Sequence, residues 1–245
     1  MGRTIEIETP DGPAEAYLAR PDDEPHPGVL LHVDAIGLRP QIEAMADRIA
    51  SWGYVVLAPH VFHRDGAAAD LAPTADLTVP ANRAAFFEGA MARVRGLTPE
   101  LSDADATLWL AALGEHATAP FGVTGYCFGA RLATRTACLH PDVVAACGGW
   151  HGGGLATEDP DSPHLLLPRA RAAFVYGHAD QDRSNPPGAV ARLGEALTEA
   201  GLVHTNEVFA GAAHGYTMAD SAPYDEAAAE RHYVALRDLL DRTLR

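Results

Sequence analysis

The chain has 245 residues and a formal net charge of −15, set by 18 basic against 33 acidic residues. That balance argues against nucleic acid or an anionic membrane as the main partner, and an ordinary composition, 47% hydrophobic and 21% charged, argues against disorder. All 18 basic residues are arginine, which excludes lysine Schiff-base chemistry, a P-loop lysine and pyridoxal phosphate held on lysine.

In chain order, Thr4–Thr9 and Ala14–Arg20 alternate apolar and polar residues around Pro10-Asp11-Gly12, the pattern of an antiparallel hairpin at a sheet edge. Gly28–Val33 is an almost continuous apolar run, as in a parallel strand covered on both faces. Pro40–Trp52 places Ile42, Met45, Ile49 and Trp52 at helical spacing, and Gly53 ends it before the buried strand Tyr54–Ala58. Arg64–Pro80, rich in Ala, Asp and Pro, reads as a long loop, and Ala81–Arg95 and Thr98–Glu115 read as helices. Strand Phe121–Gly125 turns sharply into helix Gly129–Leu139, and strands Val143–Cys147 and Ala172–Gly177 follow. Helix Gly188–Ala200, strand Val203–Phe209 and a last helix from about Tyr224 to Leu244 complete the chain. In that last helix Ala228, Val234, Leu236, Leu239 and Leu240 are inward candidates. Repeated strand–helix units imply an α/β fold of three layers, with a mostly parallel sheet between helices. No linker divides the chain, so one domain over residues 1–245 is expected.

The chemistry centres on Gly125-Tyr126-Cys127-Phe128-Gly129, a G-x-C-x-G turn between a strand and a helix. A strand that turns at once into a helix leaves no room for side chains beside the nucleophile, which accounts for both glycines. The helix N-terminus behind Cys127 favours thiolate and oxyanion alike. Cys138, on a helix, and Cys147, ending a strand, read as structural.

A cysteine nucleophile needs a base and an acid, in the order nucleophile, acid, histidine. Asp180 follows strand Ala172–Gly177, and His214 follows strand Val203–Phe209 in Gly211-Ala-Ala-His214-Gly215-Tyr216. The candidate triad is therefore Cys127, His214 and Asp180, with Asp182 the main competitor for the acid. His204 lies within a strand and His232 on a helix with a surface-like pattern. His60 and His63 flank Val-Phe in a loop without a visible third ligand, so no metal is expected. His151-Gly-Gly-Gly154 matches the oxyanion motif of lipases but follows the nucleophile, whereas that motif precedes it, so it reads as a flexible loop at the sheet's C-terminal edge. The long segments Arg64–Pro80 and Glu158–Pro168 follow strand ends, where they either frame a pocket or run as surface loops.

Three cysteines form neither a disulfide framework nor a CxxC site, which points to a reducing, cytoplasmic setting. No apolar signal segment opens the sequence, and no stretch is apolar enough to span a membrane.

On Gly125-Tyr-Cys127-Phe-Gly129, Gly177-His-Ala-Asp180, Ala213-His214-Gly215-Tyr216, Val33-Asp34-Ala35-Ile36-Gly37 and Gly53-Tyr-Val-Val-Leu-Ala-Pro59, nearly the whole chain resembles the dienelactone hydrolase family of α/β hydrolases. The resemblance implies a Cys127–His214–Asp180 triad and an oxyanion hole from the backbone N–H groups of Phe128 and Ala35. It implies a thiol-activating acid at Asp34, where the family typically has glutamate. It points to Arg83, Tyr126 and Met218 as substrate-binding positions, Met218 standing where dienelactone hydrolases have an arginine for the substrate carboxylate. The expected activity is cleavage of an activated ester or lactone without a cofactor, by a monomer or small homo-oligomer with a small-molecule partner. Two other readings stay open: a carboxylesterase or thioesterase for a neutral substrate, and a non-catalytic hydrolase-like protein that senses redox state or ligand.

Overall fold

Eight strands pair into one sheet in the computed structural model, which describes residues 2–245. They are β1 (Arg3–Ile7), β2 (Ala14–Ala19), β3 (Pro27–His32), β4 (Val55–Pro59), β5 (Thr118–Tyr126), β6 (Val144–Trp150), β7 (Ala173–Ala179) and β8 (His204–Phe209). The spatial order is β1-β2-β4-β3-β5-β6-β7-β8. β1 and β2 form the hairpin at one edge, and β2 is antiparallel to β4. All later pairings are parallel, so the C-terminal ends of β3 to β8 share one edge.

The helices are α1 (Pro40–Ala50), α2 (Ala68–Leu71), α3 (Pro80–Gly96), α4 (Pro99–Gly114), α5 (Gly129–Leu139), α6 (Pro187–Glu199) and α7 (Glu226–Leu244). Because strand side chains alternate between faces, Val29 and Leu31 join Val56 and Ala58 on one side, where α1 (Ile42, Met45, Ile49) and α7 (Leu236, Leu239, Leu240) pack. Leu30, Val55, Leu57 and Val123 face the other side, against α4 (Trp109, Leu113), α5 (Ala133, Ala137) and α6 (Leu193, Leu197). The three layers expected from the strand–helix alternation are present.

The departures have local causes. The stretch read as a loop over 64–80 contains the short helix α2, and 158–168 runs into a 3-10 helix at Pro163–Arg169. On α7 the stripe that meets the sheet is Ala229, His232, Tyr233, Leu236 and Leu240, so Val234 points outward and is 61% exposed. His232, read as a surface side chain, is fully buried. Its Nδ1 lies 2.6 Å from the Ala229 carbonyl and its Nε2 3.2 Å from the Tyr126 hydroxyl. Burial pulls its pKa down to about 3, so the ring is neutral. No helix among the described residues is long and apolar enough to cross a membrane.

Candidate active site

β5 delivers Tyr126 to the sheet edge, and the chain reverses at Cys127, whose φ is +54°. Left-handed backbone at a residue with a Cβ is strained, and here the neighbours hold it. The Cys127 amide donates to the Trp150 carbonyl at 3.0 Å, and α5 begins two residues later. Both flanking glycines are sterically required. A Cβ on Gly125 would collide with the Gly129 carbonyl, and one on Gly129 with the Val33 carbonyl. Those obstacles are backbone atoms, which cannot swing aside.

Cys127 Sγ lies 3.0 Å from His214 Nε2. The other ring nitrogen, Nδ1, meets Asp182 Oδ2 at 2.6 Å. Asp182 is held in turn by Ser184, whose amide and hydroxyl donate to Oδ1 at 2.8 and 2.7 Å. Asp180, the acid expected from spacing, is not at His214. Its Oδ2 accepts the Gly211 amide at 2.9 Å, and its own amide donates to the Ala212 carbonyl at 2.7 Å. The reason lies in the backbone: Asp180 still runs alongside the segment after β8, and the chain turns over only at Gln181, with φ +52°. Asp182 is the residue that comes back toward the imidazole, and Asp180 braces the turn that presents it.

The charges follow this arrangement. Burial disfavours imidazolium, but the charge of Cys127 as thiolate and the contact with Asp182 outweigh it and raise His214 to about 10. Burial would raise Asp182, but the donors His214 and Ser184 bring it down to about 2. Burial pushes the Cys138 thiol up to about 12 and Cys147 up as well, so both stay protonated in the core.

Ala35 and Phe128 stand with Cys127 and His214 around one cavity of about 560 Å³. Neither of their backbone amides donates to a protein acceptor among the described residues. Asp34 does not touch the thiol. Its Oδ1 accepts the amides of Ile36 and Gly37 at 3.0 and 3.2 Å, and Arg39 grips both carboxylate oxygens at 2.8 and 3.1 Å. Arg39 also binds Asp220 at 2.6 Å. The expectation of a thiol-activating acid is corrected accordingly: Asp34 shapes the loop that carries the Ala35 amide. Arg93 of α3 supports that loop from outside, donating to the carbonyls of Ala35 and Ile36, both at 3.1 Å.

Of the three expected substrate-binding positions, only Arg83 reaches the cavity. It donates to Ser221 Oγ at 3.1 Å and stacks over Phe87 at 4.7 Å. Tyr126 is fully buried and faces His232. Met218 is 2% exposed, its sulfur 3.4 Å from Arg39 Nη2. Both belong to the core, because the residue before the turn and the loop after His214 each point beneath the cavity floor.

The cavity walls come from unexpected places. Arg83, Phe87, Met91 and Val94, at spacings of four, four and three, put one face of α3 over the site. Opposite stand Arg131 of α5, Gly153, Gly154 and the Asp182–Ser184 turn. Neither 64–80 nor 158–168 lines it. The His151-Gly-Gly-Gly segment is divided: Gly153 and Gly154 face the cavity, while His151 is fully buried at φ +39°. His151 Nε2 lies 2.7 Å from Thr217 Oγ1, and its ring meets that of His214 edge-on at 5.3 Å. His60 and His63 are hydrogen-bonded to the Gly66 carbonyl and the Thr9 hydroxyl. Among the described residues no group of three or more His, Cys, Asp or Glu side chains could hold a metal ion. Sequence reasoning passed over Arg39, Arg93, Arg131 and Ser184. For Arg131 a signal existed, since it stands one helical turn beyond Cys127.

The family model described as "Dienelactone hydrolase family" matches residues 14–244. The "Putative carboxymethylenebutenolidase" of Methylorubrum extorquens is 28% identical over 219 residues, 86% of this chain and 71% of that protein. "Dienlactone hydrolase 1" of Gibberella moniliformis is also 28% identical, over 98% of this chain and 87% of that protein. In fold, the chain is similar to the solved "Putative Dienelactone Hydrolase" of Klebsiella pneumoniae, with a TM-score of 0.83 at 21% identity, covering 99% and 98% of the two chains. It is also similar, at a TM-score of 0.69 and 15% identity, to the Pyrococcus horikoshii acylaminoacyl peptidase, covering 100% of this chain and 42% of that one. A cysteine on a glycine-flanked turn, a histidine against it and a match over nearly the whole chain lead to one conclusion: this protein belongs to the dienelactone hydrolase family.

Proposed function

We propose that the protein hydrolyses activated esters or lactones through a Cys127–His214–Asp182 triad and a thioester acyl-enzyme. The observation that carries this reading is the unbroken line of contacts from Cys127 Sγ to His214 Nε2 at 3.0 Å and from His214 Nδ1 to Asp182 at 2.6 Å, opening on a cavity.

His214 takes the Cys127 proton, and Asp182 holds the ring in the tautomer that receives it and stabilises the imidazolium. The thiolate attacks the carbonyl carbon. The oxyanion that forms is positioned for the amides of Phe128 and Ala35, and one such donor contributes about 3–4 kcal/mol. As the carbonyl re-forms, the carbon–oxygen bond to the leaving group breaks and His214 protonates the departing oxygen. Water then gives a proton to His214 and attacks the thioester. The carbon–sulfur bond breaks, and Cys127 and His214 return to their starting state. A thiolate is itself a good leaving group, so the intermediate moves forward best when the alternative is a stabilised enolate or aryloxide. Enol lactones and aryl esters meet that requirement better than alkyl esters.

The test is turnover of p-nitrophenyl acetate and of cis- and trans-dienelactone by the wild type and Cys127→Ala, with mass spectrometry of the quenched enzyme. The expected result is turnover lost in Cys127→Ala and an acyl adduct on Cys127. Equal rates for both proteins would refute the covalent route. Peroxide oxidation of Cys127 with no turnover of any ester would favour the sensing alternative.

A further inference from the structure

The loop that carries Ala35 is a tight turn from Asp34 to Gly37. The Gly37 amide closes it on the Asp34 carbonyl at 3.1 Å, with Gly37 at φ +99°. The Asp34 carboxylate takes the amides of Ile36 and Gly37. Arg39 donates to the Gly37 carbonyl at 3.0 Å, and Arg93 Nη2 donates to the carbonyls of Ala35 and Ile36, both at 3.1 Å. Between the Asp34 and Gly37 carbonyls, the one backbone group without a protein partner is the amide of Ala35, a residue that lines the cavity.

Arg93 reaches this turn from α3. Its Nη1 lies 3.3 Å from the Leu71 carbonyl, so one guanidinium joins the turn, the end of α2 and α3. The side chain is buried beside the rings of Phe62 and Phe86, whose centroids lie 5.1 and 5.4 Å from Cζ. It forms no ion pair among the described residues. Burial lowers its pKa, and the charges of Asp65 and Asp34 oppose that only through space. A charged donor makes a stronger bond to a carbonyl than a neutral one, and here both such bonds go to the turn. They fix the peptide plane after Ala35, and the bond that closes the turn fixes the plane before it. With both planes held, the Ala35 N–H has one direction. Val94, next to Arg93, lines the cavity with Met91, Phe87 and Arg83, so the helix that shapes the cavity also holds the turn.

We propose that Arg93 is a positioning residue for the oxyanion hole: through it, α3 holds the Ala35 amide where the tetrahedral oxyanion forms. The proposal rests on the hydrolase reading and adds what keeps one of its two oxyanion donors in place.

Two reactions of Cys127 test it. Acylation by p-nitrophenyl acetate passes through an oxyanion, whereas alkylation by iodoacetamide displaces iodide at a saturated carbon and forms none. Both need the same thiolate and the same His214. The burst of p-nitrophenolate and the mass of the quenched protein give the first rate, and iodoacetamide labelling of Cys127 across pH gives the second. In Arg93→Met the acylation rate is expected to fall by about 10–10²-fold with little change in the half-saturating ester concentration, the cost of a misplaced oxyanion donor. Alkylation should keep the wild-type rate and pH profile. Arg93→Lys, which keeps the charge and can donate to the same carbonyls, should recover part of the loss. Should Arg93→Met fail to fold, Arg93→Lys carries the same comparison, with a smaller fall in acylation alone. Wild-type acylation in a folded Arg93→Met, or acylation and alkylation falling together, would overturn the assignment while leaving the hydrolase reading intact. A wild type that is alkylated but never acylated would bring down the hydrolase reading and this inference with it.

Discussion

Asp182 Oδ2 and His214 Nδ1 are 2.6 Å apart, and the second Asp182 oxygen is fixed by Ser184. The carboxylate therefore has one orientation, and that orientation sets which imidazole nitrogen faces Cys127. Asp180, two residues earlier, engages backbone only.

The two aspartates should separate cleanly in kinetics. Asp182→Asn removes the charge that stabilises imidazolium, so kcat should fall by about 10²–10⁴. Asp180→Asn keeps an acceptor for the Gly211 amide and should lose less than about tenfold. Stopped-flow release of p-nitrophenolate measures both. The reverse ranking would return the acid role to Asp180.

The same pair predicts a stability window. Asp182 is depressed from 3.8 to about 2, so its stabilisation is complete above pH 4 and lost as pH falls through 2. His214 is raised from 6.5 to about 10, so its stabilisation is complete below pH 6.5 and lost as pH rises through 10. The Tm gap between the wild type and Asp182→Asn should be widest between about pH 4 and 6.5 and narrow toward both extremes. A gap constant from pH 3 to 10 would contradict this account.

Arg39 is expected to matter for the fold as much as for the site. It and Asp34 are almost wholly buried against each other. Arg39→Met leaves the Asp34 carboxylate uncompensated and should cost about 3–5 kcal/mol. Asp34→Asn added to Arg39→Met retains an acceptor for the Ile36 and Gly37 amides and removes the stranded charge, so the double variant should be more stable than Arg39→Met alone. Urea unfolding measures both; strict additivity would show that the pair is not coupled.

Glycines of contrasting surroundings should respond with opposite sign. Gly125→Ala drives a methyl into the Gly129 carbonyl and should destabilise by about 3 kcal/mol or prevent folding. A Cβ added to Gly89, inside α3, would meet nothing within 4 Å. Gly89→Ala should therefore stabilise by about 0.5–1 kcal/mol through helix propensity alone. Thermal denaturation of the two variants reads both signs.

Much of this arrangement was legible in the linear chain. Apolar runs such as Gly28–Val33 and Tyr54–Ala58 can be satisfied only by strands covered on both faces, and Gly125 and Gly129 bracket Cys127 because local sterics demand it. His214 was readable because it follows the last strand in the required order. Other residues were not. The spacing that pointed to Asp180 counts residues, whereas the left-handed turn at Gln181 decides which carboxylate swings back. His232 and Val234 sit two apart on α7, and their fates depend on how that helix is rotated on the sheet.

The fold, the glycine-flanked turn at Cys127 and the place of His214 after the last strand were thus written in the order of residues, because they rest on periodicity and on steric rules that act within a few positions. The contact of Asp182 with His214, the pairing of Asp34 with Arg39, the burial of Met218 and the placement of Arg131 and α3 around the cavity emerge only once the chain has folded. They depend on where segments distant in sequence meet, and a charge acquires its role from the partner that packing brings to it.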